Sequence, residues 1–107
     1  MKGFTEVDDR NFSREVLDSK LPVLVEFGAD WCVPCKRLEP LLEKFHDENP
    51  GRFRLAHINV DQATNVTVQY QVQSLPTLIL FVEGRPRQTS FGLVSSDHLT
   101  ENYAHLI

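Results

Sequence analysis

Apolar residues along this chain fall into several kinds of run, and each kind predicts a different element. Residues 22–28, PVLVEFG, and 53–60, FRLAHINV, are short, nearly continuous and rich in β-branched side chains. Such runs suit strands covered on both faces, the usual state in a parallel sheet. Residues 8–19 instead space Phe12, Val16 and Leu17 at helical intervals behind the capping candidates Asp8 and Asp9, which predicts an amphipathic helix. Farther on, Cys35, Leu38, Leu41, Leu42 and Phe45 share one helical face, and Lys36, Arg37, Glu39, Glu43 and Lys44 share the other. Pro34 suits the first turn of that helix, since its missing N–H would have no helical partner there. Pro40 predicts a kink, and Asn49-Pro50-Gly51 an end. Strand, crossover helix over 34–49 and strand make a βαβ unit.

The later pattern is more mixed. Val66, Val68, Tyr70 and Val72 alternate strictly, which by itself predicts a strand. Residues 77–84 and 87–94 predict an antiparallel hairpin closed at Glu83–Pro86. Ser95, Ser96 and Asp97 cap a final helix carrying Leu99, Tyr103 and Leu106. There is no repeat, low-complexity tract or linker, so residues 1–107 are expected to form one α/β domain.

Composition narrows the function classes. With 11 basic and 15 acidic residues the net charge is −4, which argues against a nucleic-acid partner. Arg52, Arg54, Arg85 and Arg87 read as solvated strand ends and turn residues. The N-terminal MKGFTEVDDR has no apolar run of a secretory signal, and nothing approaches the ~20 apolar residues of a membrane helix. The expected location is therefore cytoplasmic, where a purely structural disulfide does not last.

That bears on residues 31–36, WCVPCK, which hold both cysteines of the chain. The pair could be a staple, half of a metal site, or a switch. As a staple it closes too short a ring to restrict the unfolded chain much. A zinc site needs about four ligands, and His46, His57, His98 and His105 lack the spacing to complete one, so no metal is expected. The switch has positive chemistry. Cys32 lies at a helix N-terminus, where unpaired N–H groups and the dipole favour a thiolate, and Lys36 adds a cation. Together these predict a Cys32 pKa in the ~3.5–7.5 range of activated cysteines, with Cys35 shielded one turn inward on the apolar face.

WCVPCK after VLVEFGAD, then NVDQ at 59–62, SLPT at 74–77, LFVEG at 80–84 and FG at 91–92, resembles the thioredoxin family nearly end to end. The resemblance implies a central mixed sheet of about five strands flanked by about four helices. It implies a helix at 63–70 in spite of the local alternation. It implies a protein disulfide reductase without a cofactor of its own, in which Cys32 attacks and Cys35 resolves. Pro76 would be cis and face the sulfurs beside Trp31 and Pro34. Val60, Leu75, Gly92 and Leu93 would join Trp31 in a shallow groove where an extended substrate segment pairs with backbone. A flavin- and NADPH-dependent thioredoxin reductase would restore the dithiol, and disulfide-containing proteins would be the substrates of a monomer.

The chain departs from the family pattern at four positions, two of which carry expectations of their own. Glu26 replaces the usual aspartate and is expected behind Cys35, buried with a raised pKa, as acceptor of the Cys35 proton. His57 stands where a lysine is frequent, beside Glu26, and is expected to make turnover pH-sensitive. Val33 replaces the common glycine between the cysteines, and Gly28 stands where an aromatic is frequent. Two rival functions differ in their tests. An oxidase or isomerase on the same fold would be separated by its reduction potential, and a groove-using binding module would survive loss of both cysteines.

Overall fold

The run at 22–28 becomes the middle strand of a five-stranded sheet. The fold is described from a computed structural model over residues 3–107; Met1 and Lys2, part of the N-terminal stretch read above, lie outside the described residues. The strands are β1 (Phe4–Val7), β2 (Val23–Gly28), β3 (Arg54–Asn59), β4 (Thr77–Val82) and β5 (Arg85–Phe91), in the order β1-β3-β2-β4-β5. β1, β3 and β2 run parallel, and β4 and β5 are antiparallel additions, which makes the sheet mixed as expected. Helix α1 (Val33–Asp47) crosses from β2 to β3, and α2 (Thr64–Gln69) and α3 (Ser96–Tyr103) follow. No helix among the described residues is long and apolar enough to cross a membrane.

Side chains alternate across β2, so the two sheet faces build separate cores. Val23, Val25 and Phe27 pack with Phe12, Val16, Ala63 and Val66. Leu24 packs on the opposite face with Leu38, Leu42 and Phe45 of α1 and Leu99 and Tyr103 of α3. Period two then puts Glu26 on the α1 face as well, two residues along from Leu24. The same count on β3 puts His57 there, two residues from Leu55. Both strands are buried throughout, apart from partly exposed Arg54.

The helix at 63–70 forms, and the alternation that argued for a strand gives way. Of the four alternating residues only Val66 is buried, and Val68 stands 70% exposed, so they do not line one strand face. Asp9 supplies a reason for the helix from far away. Its carboxylate accepts hydrogen bonds from the N–H groups of Asn65 (3.2 Å) and Val66 (2.9 Å), and so caps α2 instead of its own segment. Asp9→Ala is expected to lower stability by about 1 kcal/mol, the usual cost of a lost N-cap, measured as a shifted urea midpoint.

Three other expectations need correction. The helix at 8–19 is a short π-helical turn at Ser13–Leu17, closed by Asp18 N–H to the Ser13 carbonyl at 2.9 Å. Arg54 is no solvated strand end: its guanidinium donates to the Glu15 carbonyl at 2.8 Å and the Glu15 carboxylate at 2.7 Å, pinning that turn to β3. The hairpin closes over Glu83 and Gly84 alone, both at positive φ (53° and 77°) as a two-residue type I′ turn requires. A Cβ on Gly84 would also lie 2.9 Å from the Leu17 carbonyl oxygen. Pro86 is therefore already in β5, at a register shift opposite Phe81, the kind of irregular edge position a proline tolerates. The pattern carried no expectation for β1, whose four residues pair only with β3.

Candidate functional site

Cys32 is the N-cap of α1 and Cys35 lies within its first turn, with Pro34 between them. The two are joined as a disulfide, with Cα atoms 5.3 Å apart. The Cys35 N–H points back at the Cys32 sulfur at 3.2 Å, which aims one of the unpaired donors of the helix end at that atom. This donor favours negative charge on Cys32 once the disulfide opens. Cys35 is fully buried, as its place on the apolar face requires, and Cys32 is only 4% exposed. A partner sulfur must therefore approach closely, through a gap in the surface.

The residues around that gap come from four separate parts of the chain. Ala29, Val60 and Leu75 pack against the two cysteines. The Leu75–Pro76 bond is cis, and the Pro76 carbonyl accepts a hydrogen bond from Gly92 N–H at 2.8 Å, tying the β4 entrance to the end of β5. Gly92 holds φ at 79°. Trp31, Val33, Phe91 and Leu93 are large and apolar yet exposed, and they flank Cys32 on one side and Gly92 on the other. Exposure of such residues in one region marks a contact surface. Contacts thus join Cys32, Cys35, Val60 and Leu75, the cis bond and its carbonyl add Pro76 and Gly92, and Trp31, Pro34 and Leu93 are their neighbours along the chain. Phe91 and Val33 belong with them on exposure alone, and no spacing rule singled them out. Asp61 is a further addition: its carboxylate accepts the Trp31 indole N–H at 2.8 Å, which fixes the ring.

Behind the sulfurs lies a second, polar layer. Glu26 is fully buried, and neither carboxylate oxygen has a hydrogen-bond partner. Burial pushes its pKa up to about 9, the charges of Glu39 and Glu6 add to that, and Lys36 opposes it. Glu26 is the in-register neighbour of His57 across β2 and β3. His57 in turn lies beside Glu6 of β1, with its Nδ1 2.8 Å from a Glu6 carboxylate oxygen. A Cβ on Gly28 would sit 3.3 Å from the Cys35 sulfur and 3.4 Å from His57 Nε2. The small residue at this position therefore leaves open the space between thiol and imidazole.

Glu26, Glu39 and His57 each bring one oxygen or nitrogen within 4.8 Å of the others. Lys36, with Glu6, Asp30, Glu39 and His57, lines the open cleft leading to this cluster. The cleft carries its own cation, Lys36, among the carboxylates of Glu6, Asp30 and Glu39. Lys36 also exerts its charge on Glu26, in the direction opposite to burial. Glu6 and Glu39 are the polar-layer residues that sequence reasoning missed, since each looks like one of many surface acids.

The comparisons with known proteins agree with this geometry. The family model described as Thioredoxin matches residues 3–105. A thioredoxin of Acidithiobacillus ferridurans is 44% identical over 94 residues, covering 88% of this chain and 87% of that protein. A thioredoxin of Rickettsia felis is 39% identical over 95 residues, 89% of this chain and 90% of that one. The chloroplastic M-type thioredoxin of Spinacia oleracea is 32% identical over 102 residues, 95% of this chain and 56% of that longer protein.

Proposed function

We propose a reaction cycle for this chain, which belongs to the thioredoxin family. It is a protein-disulfide oxidoreductase working by dithiol–disulfide exchange on disulfide-containing proteins. In the reducing direction the Cys32 thiolate attacks one sulfur of a target disulfide, and the other target sulfur leaves with the electron pair. Cys35 then loses its proton and attacks the Cys32 sulfur. The Cys32–target bond breaks, the second target sulfur leaves reduced, and the Cys32–Cys35 disulfide remains. The observation that carries this cycle is the placing of that disulfide. One sulfur caps α1 beneath an N–H donor, and the other lies buried one turn inward.

The roles of the surrounding residues belong to the same reading. Trp31, Val60, Leu75, Gly92 and Leu93 form the groove, with cis-Pro76 facing the sulfurs and its neighbouring backbone pairing with the extended target. Pro34 restrains the first helical turn and Lys36 supplies positive charge to the polar cleft. Glu26 accepts the Cys35 proton in the second step, and His57 modulates that transfer. One domain of residues 1–107, monomeric and cytoplasmic, is the working unit, and a thioredoxin reductase returns it to the dithiol.

The test is catalytic. With NADPH, a thioredoxin reductase and a disulfide-bonded protein substrate, NADPH consumption should depend on this chain at substoichiometric amounts. A Cys35→Ser chain should instead accumulate one equivalent of mixed disulfide with the substrate, visible by non-reducing electrophoresis. A chain that neither turns over nor traps its target would sink the cycle.

A further inference from the structure

We propose that His57, oriented by Glu6, is the route by which protons pass between the buried Glu26–Cys35 pair and solvent. The inference rests on Glu26 as acceptor of the Cys35 proton and adds the residues that reset it. Glu26 rests protonated at neutral pH and has no exposed surface, so it can take the Cys35 proton only by giving up the one it already holds. Something has to reach both it and water.

Three adjacent strands supply a line that does so. Glu6, His57 and Glu26 are register partners across β1, β3 and β2, so they stand side by side on one sheet face. Their side chains grade from open to closed: Glu6 is 61% exposed, His57 8%, and Glu26 is fully buried. His57 Nδ1 faces the Glu6 carboxylate at 2.8 Å. With its N–H committed to that carboxylate, Nε2 is left as the lone-pair end of the ring. Nε2 faces the space above Gly28, across which the Cys35 sulfur lies.

The proton balance is simple. Cys35 gives its proton to one oxygen of Glu26 as its sulfur bonds to Cys32, the other oxygen gives up the proton it held, and the electron pair of the broken S–S bond leaves with the target sulfur. That displaced proton goes to Nε2, forming an imidazolium that releases a proton to solvent on the Glu6 side. Around the ring stand Glu6 from β1, Glu26 from β2, Glu39 from α1 and Asp30 from the loop before it, with Lys36 the cation among them. Glu39 is also near Glu26, but a second carboxylate makes Glu26 hold its proton harder. Imidazole is neutral when it accepts, so it does not.

The experiment is single-turnover release of target from the mixed disulfide, followed by rapid quench from pH 5 to 9. Five chains are compared: wild type, Glu6→Gln, His57→Gln, His57→Ala and Glu26→Gln. His57→Gln should slow release about tenfold near pH 7 and change the shape of the pH profile, a modest share of what positioned acid–base groups contribute. Glu6→Gln, a change at a 61% exposed side chain on an edge strand, should act in the same direction. Added imidazole should restore His57→Ala, which a purely structural loss would not allow. If His57→Gln and Glu6→Gln both match wild type across the range while Glu26→Gln is slow, the route is wrong and Glu26 keeps its role. If Glu26→Gln is also as fast as wild type, the acceptor reading falls with it.

Discussion

Replacing Cys32 by serine is expected to abolish disulfide reduction, with the rate falling by more than about a thousandfold, the scale on which losing a nucleophile acts. A serine hydroxyl at that N-cap is a weak acid, and the Cys35 N–H cannot ionise it at neutral pH. Serine is itself a good N-cap, so α1 should keep its start and the fold its stability. Loss of activity with an unchanged denaturation midpoint would assign the effect to chemistry alone. Cys35→Ser should leave the first exchange intact and block only the second. The two variants together separate attack from resolution. A Cys32→Ser chain that still reduced protein disulfides catalytically would remove the basis of the cycle.

The second large effect concerns stability. Glu26→Gln is expected to make the fold more stable by about 3–4 kcal/mol at pH 7, with no difference near pH 4. The folded chain holds the Glu26 proton up to about pH 9, whereas an unfolded glutamate releases it near 4.5. Burial is the main cause, with Glu39 and Glu6 adding to it. Below pH 4.5 both states carry the proton and Glu26 takes nothing from stability. As pH rises toward 9 the unfolded state has shed the proton and the folded state has not, so unfolding becomes easier. At pH 7 the gap above 4.5 is 2.5 units, and at about 1.4 kcal/mol per unit it gives the figure stated. Glutamine has no such proton, so its stability stays level over that window. Urea midpoints at pH 4, 7 and 9 measure the divergence. Coincident curves at all three values would mean that Glu26 is ionised inside the fold.

Much of this was legible from residue pattern. The β2–α1–β3 unit is written in two apolar runs and one helical face, because burial on both sides of a parallel strand leaves little choice of residue. The disulfide pair follows from local spacing, since both cysteines lie in one helical turn. What could not be read depends on distant partners. The helix at 64–69 is capped by Asp9, 55 residues or more away in sequence, so its local alternation misleads. β1 is four residues long and takes its meaning from pairing with β3. The polar layer shows the same division. Glu26 and His57 stood out because they interrupt apolar strands, whereas Glu6 and Glu39 could be recognised only once three strands and a helix had been brought together.

The hairpin has one more consequence. β5 lies at the border of the sheet, and an unpaired strand there offers its backbone to any passing polypeptide. Here that border bears Arg85, Pro86 and Arg87, all exposed, with the ladder shifted where Pro86 meets Phe81. Two like charges repel a second copy, and the proline lacks the donor that a stacked strand would need. A protein that exchanges disulfides with other proteins is thereby hindered from pairing with its own kind along this border, and it should stay dispersed at concentrations where a smooth apolar border would seed fibrils.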